Sequence, residues 1–142
     1  MPAKSKPLSG YSGPPLWKML GYKTGQIAFV HQSPANYMAM LDLPRDVDVT
    51  WAPKFKAGLA FVHLFTTSFT DLGTRLGKYR TTIAPDGVVG VSWPKKSSGV
   101  ATDITEDRIR DAALPLGFVD IKVCAVDNTW SGLKLVIRQE LR

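Results

Sequence analysis

The stretch VSWPKKSSG, residues 91–99, places two adjacent lysines, Lys95 and Lys96, behind an apolar run that ends in Ser92 and Trp93. Paired ammonium groups at the end of such a run suit an anion, either a phosphate or a carboxylate. They suit an internal partner such as Asp127 or Asp103 equally well, and exposed ion pairs contribute little, so both readings stand. Trp93 and Trp130 can offer flat faces to a ring or base, or can cover the end of a sheet. His31 closes a second apolar run, QIAFVH, and is the best-placed titrating group; a hydrogen-bonded structural histidine is the competing assignment. His63 lies inside LAFVHLF and reads as a satisfied core residue. Hydroxyls at Ser33, Ser68 and Ser131 stand beside these segments. The two histidines have no partner at ligand spacing, so no metal is expected. The single cysteine, Cys124, alternates with Val123 and Ala125 and reads as buried. No GxSxG turn, Walker sequence or dinucleotide fingerprint occurs.

Composition narrows the classes. A chain of 142 residues is about one domain. The net charge of +6 favours anionic contacts, but the positive residues are scattered along the chain, as on an ordinary solvated surface. Nucleic-acid binding is therefore a weaker alternative, with no recognisable motif behind it. No apolar run approaches the roughly 20 residues that a membrane span needs. The basic start MPAKSKPLSGYSGPP lacks the apolar segment of a secretory signal, so a cytoplasmic location is expected.

These residues need elements to position them. Residues 1–15, rich in Pro, Gly and Ser, read as an extended arm, and residues 16–142 as one α/β domain. A short helix is expected over 16–20 and a strand over 26–31. Ser33 as N-cap and Pro34 at the first helical position predict a helix to about Asp42. Strands are expected over 46–51, 59–65 and 88–93; the apolar run 59–65 has the pattern of a strand covered on both faces. Ser68 caps the helix that carries the stripe Leu72, Leu76, Tyr79 and Ile83. Thr105 caps another, with Ile104 and Ile109 at staple spacing, and Pro115 and Gly117 stop it. Strands over 118–126 and 133–139 follow, joined by a turn from Asp127 to Gly132. Alternation implies parallel strands with right-handed crossovers, and the short final connection implies an antiparallel pair.

The order of YKTGQIAFVH, LAFVHLF, IAPDGVVGVSW and LGFVDIKVCAVD…WSGLKLVIR resembles the methyltransferase variant of the Rossmann fold. A closer resemblance, carried by GYSGPPL, VSWPKKSSG, TDITE and VCAVDNTWSGLKLVIR, is to a small bacterial family of that fold, a domain of unknown function. The resemblance implies a six-stranded sheet of order 2-1-3-4-6-5 with strand 6 antiparallel, and a ligand at the carboxyl edge. It also implies S-adenosylmethionine, held by a glycine turn after strand 1 and an acid after strand 2. Neither is here: the turn reads His31-Gln32-Ser33-Pro34-Ala35-Asn36, and strand 2 leaves through Val49-Thr50-Trp51-Ala52. S-adenosylmethionine is therefore disfavoured as a cofactor, and an atypical methyltransferase is the alternative. The leading expectation is a small anionic molecule or a protein partner at the carboxyl edge. It would meet His31, Ser33, Ser68, Ser92, Trp93, Lys95 and Lys96, together with Asp127, Trp130 and Ser131.

Overall fold

The computed structural model describes residues 14–142, so the arm expected at 1–15 lies almost wholly outside the described residues. Ten regular elements follow: α1 (Leu16–Leu20), β1 (Ile27–His31), α2 (Tyr37–Leu41), β2 (Thr50–Trp51), β3 (Phe61–Phe65), α3 (Phe69–Thr82), β4 (Val88–Pro94), α4 (Glu106–Ala113), β5 (Phe118–Ala125) and β6 (Trp130–Ile137). The sheet has six strands in the order β2-β1-β3-β4-β6-β5. The first four are mutually parallel, and β6 runs antiparallel to both β4 and β5. The sheet order and strand directions agree with expectation. No described helix is long and apolar enough to cross a membrane.

Each face of the sheet carries its own apolar layer. Leu72, Leu76, Tyr79 and Ile83 of the α3 stripe join Ile104, Ile109 and Ala113 around α4 over one face. Leu16, Met19, Leu20, Tyr37, Met40 and Leu41 from α1 and α2 cover the other. All five residues of β3 are buried, because helices cover both sides of that strand. Two of the three expected caps form: Ser68 Oγ accepts from Asp71 N, and Thr105 Oγ1 accepts from Arg108 N.

Three of the boundaries that differ from expectation do so for a clear local reason. The helix after β1 starts at Tyr37, not Pro34: Ser33 Oγ donates to Pro34 O instead of capping, and Gln32 turns left-handed at φ 55°. Strand β2 is only Thr50–Trp51, shorter than the expected 46–51. Residues 46–48 bond the turn before β1 instead, with Thr24 Oγ1 donating to Asp46 O and accepting from Asp48 N, and Gly25 N donating to Asp48 O. Strand β6 begins at Trp130, three residues earlier than expected, because Pro94 still finds a ladder partner in Trp130.

Candidate functional site

The carboxyl edge is built where β1, β3 and β4 end. Because β4 and β5 both run antiparallel to β6, the β5–β6 turn emerges at that same edge. Lys95 N donates to Thr129 O at 2.7 Å, tying the lysine pair to the turn. Residues 95 and 127–131 are thus brought together as the sequence implied. Lys96–Ser98 form one 3-10 turn, closed by Gly99 at φ 75° and braced by Ser98 Oγ donating to Lys95 O.

Lys95 is half-buried and Lys96 is exposed. The described ion pairs join Arg75 to Asp71, Arg110 to Glu106, Asp107 and Asp120, and Arg138 to Glu140, leaving both lysines without one. The carboxylates named as internal partners are committed elsewhere. Asp127 Oδ1 accepts from Thr129 N and Trp130 N, both at 2.8 Å, and Asp103 Oδ1 accepts from Phe69 N. An aspartate that holds its own turn in this way acts locally.

The remaining expected residues divide between edge and core. Ser33 and Ser68 are exposed at the edge, the first bonded to its neighbouring carbonyl and the second capping α3. Trp93 and Trp130 lie on opposite faces of the sheet. Trp93 packs with the α3–α4 layer, whereas Trp130 meets Phe65 edge-on at 5.0 Å in the α1–α2 layer. They cannot both face one ring of a ligand. Half-buried Ser131 stands opposite Trp93 in the ladder.

Ser92 is fully buried, so its hydroxyl belongs to the core rather than the mouth. It ends a chain of hydrogen bonds: Tyr22 Oη to Tyr37 Oη at 2.7 Å, Tyr37 Oη to His63 Nδ1 at 2.8 Å, and His63 Nε2 to Ser92 Oγ at 2.7 Å. His63 is the satisfied core histidine that its apolar setting predicts. Burial pulls its pKa down to about 3, so the ring is neutral at neutral pH. Burial likewise pushes the Tyr37 phenol well up, and the chain stays uncharged.

His31 is half-buried at the end of β1. Its Nε2 is sealed from solvent and has no hydrogen-bond partner among the described residues. Burial lowers its pKa, the Arg75 guanidinium lowers it further, and the Asp71 carboxylate opposes both. Cys124 is buried and unpaired, with its thiol pKa raised by burial. Among the described residues no cluster of His, Cys, Asp or Glu could hold a metal ion.

The two features that the resemblance attaches to S-adenosylmethionine, a glycine turn after β1 and an acid after β2, are not at those positions. Gln32 reaches the left-handed region in the turn after β1, but it does so with a side chain where close cofactor approach needs none. Helix α2 is only five residues long, and β2 leaves through Ala52 without a carboxylate. Asp46 and Asp48 sit with the turn before β1, at the opposite edge.

Two features escaped the sequence reading. Asp71, Arg75 and Tyr79 recur every four residues along α3, and that spacing could have marked them as a stripe. At the amino edge, a pocket of about 420 Å³ is lined by Lys23, Gln26, Asp86 and Lys134, among others. Lys134 is half-buried there, its pKa lowered first by burial and then by Lys122, and Nζ donates a long 3.4 Å bond to Met19 O.

No family model matches the chain, and no curated protein matches it in sequence. Similarity appears among solved structures. An S-adenosylmethionine-dependent methyltransferase from Aquifex aeolicus superposes with a TM-score of 0.61 at 13% identity, covering 84% of this chain and 86% of that one. A methyltransferase from Pyrococcus furiosus gives 0.54 at 9% identity, with 84% and 79% covered. Magnesium protoporphyrin IX methyltransferase from Synechocystis PCC 6803, determined with bound S-adenosylmethionine, gives 0.57 at 10% identity, with 82% and 72% covered. At such identities the likeness establishes the fold, and the fold is methyltransferase-like.

Proposed function

We propose that the chain binds a small anionic molecule at the carboxyl edge of a methyltransferase-like domain, without the usual donor contacts. The observation that carries this reading is the pair Lys95 and Lys96, held beside the β5–β6 turn with no ion-pair partner among the described residues. A protein partner presenting a phosphate or carboxylate would meet the same groups. No reaction is assigned, because no nucleophile and base converge there among the described residues. The reading is compatible with a cytoplasmic protein.

The test uses inorganic phosphate as probe at constant ionic strength. Phosphate should raise the melting temperature of the wild type by mass action. Lys95→Ala with Lys96→Ala should lose that rise while leaving the unliganded melting temperature nearly unchanged. An equal loss of unliganded stability would return the lysines to an internal structural role.

A second reading, an S-adenosylmethionine-dependent methyltransferase with an atypical pocket, is favoured by the structural neighbours. It predicts a thermal shift with S-adenosylmethionine or S-adenosylhomocysteine. No shift at millimolar ligand would end it.

A further inference from the structure

Two polar side-chain atoms are buried without a hydrogen-bond partner among the described residues: His31 Nε2 and Tyr79 Oη. Tyr79 is only 1% exposed. Buried polar groups are nearly always bonded, because an unmatched one bears its whole desolvation cost, so each orphan needs an explanation. Here the two orphans come from different elements yet border one place.

The contacts close around that place. On α3, Asp71, Arg75 and Tyr79 succeed one another at one-turn spacing. Asp71 bonds Thr66 Oγ1, just beyond β3, through Oδ2 and Arg75 Nε through Oδ1. Strand β3 pairs with β1, whose last residue is His31. On the other side the Tyr79 ring packs 5.0 Å from Phe55, Phe55 lies 6.2 Å from Phe29, and Phe29 lies 6.4 Å from His31. The charges of Arg75 and Asp71 act on both groups, and the Arg75 guanidinium approaches the Tyr79 phenol without closing a well-aligned hydrogen bond.

The donor chemistry is one-sided. Arg75 bonds Asp71 through Nε, and its guanidinium also reaches the Tyr79 phenol, leaving its remaining N–H groups to face the same place. Burial keeps the Tyr79 phenol protonated, so it donates. His31 donates through Nε2 in the Nε2–H tautomer. Asp71, the carboxylate that acts on both groups, already has a donor on each oxygen. A lone water could satisfy one orphan; donors on a guanidinium, a phenol and an imidazole together match an acceptor with several oxygens.

We propose that His31, Arg75 and Tyr79 form a subsite for a single oxyanion, the carboxylate or phosphate group of a small molecule, between the end of β1 and helix α3. The subsite is separate from Lys95 and Lys96 and does not depend on them.

The experiment is a nitrogen-resolved NMR titration of the full chain with Lys95→Ala and Lys96→Ala already in place. Its two arms use inorganic phosphate and acetate, at constant ionic strength. Saturable shifts are expected at His31 Nε2 and Arg75 Nε in at least one arm, and the arm that saturates at lower concentration identifies the group. The bound anion should also raise the pKa of His31. Tyr79→Phe provides the second check. It should raise the unliganded melting temperature by roughly 2–4 °C, since an unmatched hydroxyl is removed, and should weaken the anion about tenfold. Unmoved His31 and Arg75 signals in both arms overturn the proposal. So does a lower melting temperature in Tyr79→Phe, which would mean that a structural water already serves the phenol. Because the background lacks both lysines, failure here leaves the edge reading standing, and failure there leaves this one.

Discussion

Replacing Tyr37 by Phe should cost far more than the loss of one oxygen ordinarily does. Its hydroxyl is the middle link of the buried chain, 2.7 Å from Tyr22 Oη and 2.8 Å from His63 Nδ1. Both neighbours are on residues no more than 1% exposed, so water cannot take over either bond. Two stranded polar atoms at about 1–3 kcal/mol each give about 2–6 kcal/mol. Removing a terminal link is milder. Ser92→Ala strands only His63 Nε2, for about 1–3 kcal/mol. Tyr22→Phe leaves Tyr37 still bonded to His63 and should cost about 1 kcal/mol. The double variant of Tyr22 and Tyr37 should cost less than the two single losses summed, because the second change removes an atom that the first had stranded. Urea unfolding at neutral pH reads the series through its midpoint at constant m-value. A Tyr37→Phe variant no worse than Tyr22→Phe, or a strictly additive double variant, would mean that the three hydroxyl and ring groups do not act as one chain.

Further expectations concern pH and packing. His63 binds a proton near pH 6.5 when unfolded but only near pH 3 when folded, so the unfolded state holds the extra proton between those values. Stability should therefore be flat above pH 6.5 and should fall with acidification at up to about 1.4 kcal/mol per pH unit, reaching a loss of about 2 kcal/mol by pH 5. His63→Phe should flatten that window to the smaller slope contributed by His31, whose pKa is also lowered; an unchanged slope would contradict a neutral buried ring. Gly87→Ala should lose about 1–3 kcal/mol, since its Cβ would lie 2.9 Å from Ala84 O and 3.1 Å from Leu59 O, both backbone atoms fixed by turn hydrogen bonds. Urea midpoints check this, and a change within 0.5 kcal/mol would mean that the turn yields easily.

The order of elements was legible because it rests on period and punctuation. The doubly apolar LAFVHLF, the Ser68 and Thr105 caps and the short last connection each have one structural solution, and together they fix the sheet. The Asp127 turn could be placed at the lysine edge from strand direction alone. What escaped were features set by partners distant in sequence. Thr24 draws residues 46–48 away from β2, so the valines at 47 and 49 could not reveal its short length. The hydroxyl of Ser92 turns inward because His63, 29 residues earlier, needs a partner for Nε2. Strand alternation separated inside from outside only loosely there, because β4 is buried from Val89 to Pro94. Trp93 and Trp130 are register neighbours offset by one residue, and that single step puts their rings on opposite faces. Tyr79 was read only as a member of the apolar stripe, so its alignment with Asp71 and Arg75 went unseen.

The anion reading of the carboxyl edge is tested most directly by an amide-resolved NMR titration of the wild-type chain with inorganic phosphate at constant ionic strength. Saturable shifts are expected at residues 95–99 and 127–131, segments joined by the Lys95–Thr129 hydrogen bond, with their loss in the Lys95→Ala, Lys96→Ala variant. Unmoved amides in those two segments, or equal shifts with and without the lysines, would contradict it.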